Sequence, residues 1–288
     1  ERAENFSKDV KKINDALLTE SRDESLPTLF SLWTSHVSGK MNAGKRDLVM
    51  EEFKRNTEGT RLLSNARCLG EGVDIREIDG IGFLDPRRSQ IDIVQAVGRS
   101  IRKSDSEKIA TVVIPVLIDD ESSETCEEQL SQSRFEPIWG VLNALKAHDD
   151  ELAEQLNELR FQLGKHGRGV GSLPEKINLV DIPTSVGMDF VRAIEIRIIE
   201  TTTASWEFWF GLLEKYIARE GHARPTTVYK DEDDYNLGLW VSTQRSAYKA
   251  GNLSPERIAH LEGLPGWVWA AMDAVWEDGF AALAKFIE

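Results

Sequence analysis

The sequence predicts an α/β unit built on a mostly parallel sheet, followed by an all-α region that contains a small three-helix module. Up to residue 118, short β-rich apolar runs alternate with amphipathic helices. That alternation argues a parallel sheet with helices on its faces. Beyond the acidic run "IDDESSETCEEQ" (118–129), apolar residues return mainly at helical spacing and tryptophan becomes frequent. Near the end, "WEFWFGLLEKYI" (206–217) recurs as "WEDGFAALAKFI" (276–287) at a period of 70 residues. Such recurrence is the signature of a tandem array.

The elements follow in order. "ENFSKDVKKINDALL" places Phe6, Val10, Ile13 and Leu17 on one helical stripe. "TLFSLWTSHV" (28–37) reads as a strand and "AGKRDLVMEEFKRN" (43–56) as a helix. "TRLLSNA" (60–66), "GIGFLD" (80–85) and "KIATVVIPVLI" (108–118) read as strands, with a helix expected over 89–103 between the last two. Then "FEPIWGVLNALKAH" and "DELAEQLNELRFQLG" read as two helices or one bent helix. "GKHGRGVGSLP" (164–174) is glycine-rich and is expected to be a mobile loop, "KINLVDIP" (176–183) a short strand, and the chain from Asp189 onward helical. The domain boundaries expected are 1–120 for the α/β unit, 121–203 for the helical connection, 204–270 for the module and 271–288 for the start of a second copy.

The formal net charge is −14, which argues against a generally basic nucleic-acid-binding protein and confines any polyanion contact to local patches. Cys68 and Cys126 stand apart from each other and from any Cys/His cluster, so neither a disulfide framework nor a zinc site is implied and a cytoplasmic location is expected. No apolar run approaches the roughly 18–20 residues that span a bilayer. The polar N-terminus begins without methionine, which suggests a piece of a longer chain.

Within "QAVGRSIRK" (95–103), Gln95, Arg99 and Arg102 fall on one stripe of the expected helix, and Val94, Val97 and Ile101 on the opposite side. Ser89 can cap that helix. A solvated basic face would read the same way, but paired arginines on a helix also suit phosphate oxygens, because the planar fork donates bidentately and stays charged. Upstream, "GEGVD" (70–74) is a tight turn delivering Asp74, which on its own could simply cap that turn.

Together these segments resemble the second RecA-like domain of superfamily 2 helicases. "ARCLGEGVDI" is similar to motif V, "QAVGRSIR" to motif VI, and "HVSGKMNAGKRDLVMEEFKRN" to the segment preceding motif V. The resemblance implies that Arg99 and Arg102 approach the γ-phosphate of ATP bound on a first lobe, with Arg102 as the arginine finger. It implies that Gln95, Gly72 and Asp74 lie beside the nucleotide, and that Gly39 and Asn65 lie near the nucleic-acid backbone. Many relatives place a threonine where Ala66 stands here, which leaves Asn65 or backbone amides for that contact.

No G-x-x-x-x-G-K-[ST] and no acidic box after a strand occurs. ATP and magnesium would therefore be held mainly by another lobe, and these residues alone are expected to be inactive. The function implied is the C-terminal part of a monomeric ATP-dependent helicase or translocase acting on nucleic acid, DNA more than RNA. The alternatives are a non-catalytic nucleic-acid-binding or scaffold protein that keeps the fold, and a nuclease-coupled translocase as in restriction systems.

The tryptophan-rich segment 205–269 resembles the bacterial helicase-associated repeat, a three-helix module for which nucleic-acid binding is proposed. Trp206, Phe210, Leu213 and Ile217 form a core stripe, and Leu237, Leu239, Trp240, Leu253, Ile258, Leu261 and Trp267 are expected to complete the core. Gln244, Arg245, Tyr248 and Lys249 are left as a polar surface. Of these, Arg245, Tyr248 and Lys249 are the candidate nucleic-acid contacts, in preference to the tryptophans. The acidic "DEDD" (231–234) opposes such a contact, and a protein-interaction module remains the other reading. The module is expected to be autonomous and flexibly joined through the 164–174 loop.

Overall fold

A computed structural model describes residues 2–20, 32–55, 59–66, 78–83, 93, 111–118, 124–169, 171–183, 185–270, 280, 283 and 286. The chain forms two compact units, Glu1–Pro115 and Val116–Glu288.

The first unit is α/β with parallel pairing, as its alternating sequence predicts. Helix α1 (Arg2–Glu20) is followed by β1 (Leu32–Ser38), α2 (Ala43–Lys54) and β2 (Thr60–Ala66). β1 and β2 run parallel with Leu32 opposite Thr60 and Ser38 opposite Ala66. Parallel neighbours need a crossover, and α2 supplies it. Asn42 caps α2 by accepting from the Lys45 amide at 2.8 Å. Val37 and Met50 are buried between strand and helix, with Val49, Phe53 and Leu63 packed against them. Ser64 is turned inward, its hydroxyl bonded to the carbonyls of Ala3 and Ser35.

A second parallel pair joins β3 (Gly80–Gly82) to β4 (Thr111–Val113). The expected strand at 108–118 is shorter than its apolar run, because Pro115 offers no amide to a ladder. Of the expected 89–103 helix only Ile93 is described; it is helical and buried.

The second unit is helical: α3 (Cys126–Leu130), α4 (Glu136–Lys146), α5 (Asp150–His166), α6 (Met188–Thr202), α7 (Ser205–Glu220), α8 (Leu237–Lys249) and α9 (Pro255–Glu262). The ambiguity between one bent helix and two resolves as two, since Asp149 caps α5 by accepting from the Leu152 amide at 3.0 Å. Leu130, Phe135, Leu142, Leu156, Phe190 and Ile198 form one core. The expected strand at 176–183 is absent. Its alternation is real, but Ile177 and Leu179 insert into that helical core, and the segment makes no ladder with any described strand.

The expected mobile loop at 164–174 begins too early. Gly164 lies in the last turn of α5, buried against α7. A Cβ on Gly164 would stand 1.9 Å from the Phe208 carbonyl oxygen, and one on Gly211 would stand 2.1 Å from the Phe161 oxygen. Each helix thus presents a glycine to the other's backbone. Lys165 and Glu214 pair across the crossing at 2.8 Å. Leu163 and Ile199 share one core with Trp206, Leu213, Leu237 and Leu261. Packing is therefore continuous across 203/204, the expected domain boundary, and the flexible joint expected at 164–174 is instead partly a packed helix end.

Gly211→Leu is expected to lower the stability of the second unit by about 3 kcal/mol or more, because the intruding atoms meet backbone, which cannot yield. Gly169→Ala, where a Cβ meets open space, is the neutral control. Urea unfolding followed by tryptophan emission compares them.

Asp149 offers a second test. Lys176 first, then the Leu152 amide, hold its carboxyl below the usual range. A lowered folded-state pKa means stability that is present above the ordinary carboxylate pKa of about 4 and lost as pH falls through the lowered value. Asp149→Asn keeps a good cap and removes this titration. The melting temperature of the wild type should fall more than that of the variant between pH 5 and pH 2.

Candidate nucleic-acid interface

Two regions hold the described candidate residues, one in each unit. In the first, Val37 pairs with Asn65 and Ser38 with Ala66, so Gly39 and Asn65 lie at the same C-terminal edge of two parallel strands. Open α/β sheets bind ligands at that edge. Lys40, Lys45 and Arg46 flank the turn into α2, whose first amides point out of the helix end, an arrangement favourable to phosphate. A Cβ at Gly39 would meet nothing within 4 Å, so the backbone there is open to approach. Gln95, Arg99, Arg102, Gly72 and Asp74 lie outside the described residues.

In the second unit, α8 distributes the four polar residues differently from their expected shared surface. Gln244 is buried and its Oε1 accepts from Trp206 Nε1 at 3.1 Å. It satisfies the indole in the core and is unavailable to a ligand. Arg245 is half-buried. Its Nε donates to the Val268 carbonyl at 2.9 Å and its guanidinium lies 5.2 Å from the centre of the Trp267 ring. Burial, then repulsion from Arg224, lower its pKa from the usual arginine value. Tyr248 stacks on Trp269, with ring centres 3.8 Å apart and planes within 12°. Lys249 is exposed. Among the core residues expected from spacing, Leu239 is instead exposed, because α8 turns its Leu237 and Val241 face to α7.

Trp267, Trp269 and Arg224 therefore join the surface that Arg245, Tyr248 and Lys249 begin. The signal for the tryptophans was legible. "GLPGWVW" follows α9 through Pro265 and Gly266, and the latter has φ +68°. Trp267, expected in the core, and Trp269 both pack against the module's core while staying partly exposed, so each lies at its rim. Elsewhere on the module the charges are balanced. A cleft of about 320 Å³ beside Tyr216 and Tyr229 is rimmed by Asp231 and Glu232, and its cations Arg219 and Lys215 lie 3.9 and 3.6 Å from Glu232.

Among the described residues no group of His, Cys, Asp or Glu could hold a metal ion, and no helix is long and apolar enough to cross a membrane.

Gln244→Leu is expected to cost about 1–3 kcal/mol by stranding the Trp206 N–H in the core, with nucleic-acid affinity unchanged. Chemical denaturation and a binding titration on the same preparation separate the two effects.

Residues 3–104 match the helicase conserved C-terminal domain family, and residues 203–270 match the helicase associated domain family. The chain thus carries a helicase C-terminal domain followed by a helicase associated domain. The probable helicase A859L of African swine fever virus, in isolate Tick/South Africa/Pretoriuskop Pr4/1996 and in strain Badajoz 1971 Vero-adapted, is 22% identical over 302 residues. Those alignments cover 98% of this chain and 32% of the viral protein, so the chain spans about a third of these relatives. The ATP-dependent Type ISP restriction-modification enzyme LlaBIII bound to DNA shares the fold, with TM-score 0.52 and 19% identity over 89% of this chain and 19% of that enzyme.

Proposed function

We propose that the chain is the C-terminal part of an ATP-dependent nucleic-acid helicase or translocase. The observation that carries this is the match of residues 3–104 to the helicase C-terminal family, with "GEGVD" and "QAVGRSIR" standing in motif order within it. In this reading Arg99 and Arg102 complete an ATP site whose Mg²⁺ and triphosphate are held by a P-loop lobe. Arg102 stabilises the charge that develops during γ-phosphoryl transfer, Arg99 and Gln95 orient the phosphate side, and Gly72 with Asp74 shapes the turn beside the nucleotide. No base is required of this lobe; its contribution is donors positioned at closure. By itself, the chain hydrolyses no ATP.

Gly39 and Asn65, at the strand edge of the first unit, contact the nucleic-acid backbone in this reading. Arg245, Tyr248 and Lys249 provide a second contact on the associated domain. The DNA named for the restriction-modification enzyme makes DNA the preferred substrate. Packed on α5, the associated domain and the connecting helices form one body within the second unit.

In the protein carrying its P-loop lobe, Arg102→Ala should reduce nucleic-acid-stimulated ATP turnover by about 10³–10⁵-fold. ATP affinity should remain near wild type, since ground-state binding lies mostly on the other lobe. Phosphate release and nucleotide-analogue titration measure the two. Normal turnover in the variant removes Arg102 from the role.

A further inference from the structure

Trp269 is held from three directions. Its Nε1 donates to Glu262 Oε1 at 2.8 Å, its ring meets Trp267 edge-on at 5.1 Å, and Tyr248 covers one face. Trp267 is fixed in turn under the Arg245 guanidinium, whose Nε is bonded to the intervening Val268 carbonyl. Tyr248 has one ring face against Trp269, yet remains 39% exposed. With Trp269 stacked on one face, the ring is backed by an indole that is itself held in place. Lys249 is the next residue and is exposed.

The surrounding charge suits a polyanion. In a chain of net charge −14, the cations Arg245 and Lys249 adjoin this flat aromatic surface, together with the Glu262 carboxylate that holds Trp269. Aromatic faces take unpaired bases whatever their identity, whereas a base inside a duplex has both faces covered by the base pairs stacked above and below it.

We infer that the Tyr248–Trp269 stack is a platform for an unpaired base of single-stranded nucleic acid, with Lys249 as the adjoining phosphate contact. This rests on the reading of the associated domain as a nucleic-acid contact and adds the strand state it recognises. Arg245 is a positioning residue here: it ties α8 to the 267–269 segment and keeps Trp269 behind Tyr248. The indole at position 269 enters the site as the backing layer that gives Tyr248 its fixed plane.

The test titrates the 288-residue chain at low salt into labelled oligothymidylate and into a duplex of equal length. Tyr248→Ala should weaken single-strand binding by about tenfold, the loss of one stacked base, and leave duplex binding unchanged. Tyr248→Phe keeps the ring and should retain wild-type single-strand affinity. Lys249→Ala should reduce the salt slope by about one phosphate, whereas Tyr248→Ala should not change it. Circular dichroism verifies that each variant is folded. If Tyr248→Ala binds the single strand normally, or loses single strand and duplex equally, the platform is overturned while the broader contact stands. If wild type binds neither probe, the associated domain's nucleic-acid role falls and the platform with it.

Discussion

The crossing of α5 and α7 at Gly164 and Gly211 governs the second unit. A hydrogen on each Cα lets the backbones touch where any side chain would collide with a carbonyl, less than 2.2 Å away. Close approach of this kind fixes the angle and the register of two helices together, because sliding or rotating either one brings side chains into the gap. Around it, Phe161 meets Phe210 at 6.0 Å and the Arg160 guanidinium lies 4.9 Å from the Phe208 ring. Lys146 adds a tie from α4 to the end of α6, donating to the Thr202 carbonyl at 2.7 Å. The associated domain consequently has no core of its own separate from the helices that precede it.

Each later placement depends on that crossing. With α7 fixed, Trp206 points into the module and demands an acceptor for its N–H, which Gln244 provides. That bond ties α7 to α8 in the core. Further along the same helix Arg245 reaches the Val268 carbonyl and Tyr248 stacks on Trp269, while Leu239 faces outward. The acidic loop closes on itself, with Asp231 accepting from the Asp233 and Tyr235 amides and Lys230 bridging to Asp234.

The first unit obeys a simpler constraint. Two parallel strands joined through α2 must end on the same side, so the residue after β1 and the residue near the end of β2 become neighbours. Gly39 and Asn65 are thus brought to one edge from positions 26 apart in the sequence.

Period and order were legible in the sequence alone. The helical readings located α1, α2 and α4–α8, the β-rich runs located β1–β4, and the motif residues with the tryptophan-rich segment identified the two families. What periodicity cannot report is the occupant of the facing space. Gly164 and Gly211 read as flexibility and a neutral helix position, since a close backbone contact involves a partner 47 residues away. Ile177 and Leu179 alternate like a strand, but only packing decides whether a strand or a helix layer receives them. Gln244, Arg245 and Tyr248 read as one polar surface because their partners, Trp206, Val268 and Trp269, lie on separate segments. The tertiary structure made those choices, because a polar group's environment is set by whichever distant donor, carbonyl or ring folding brings within reach.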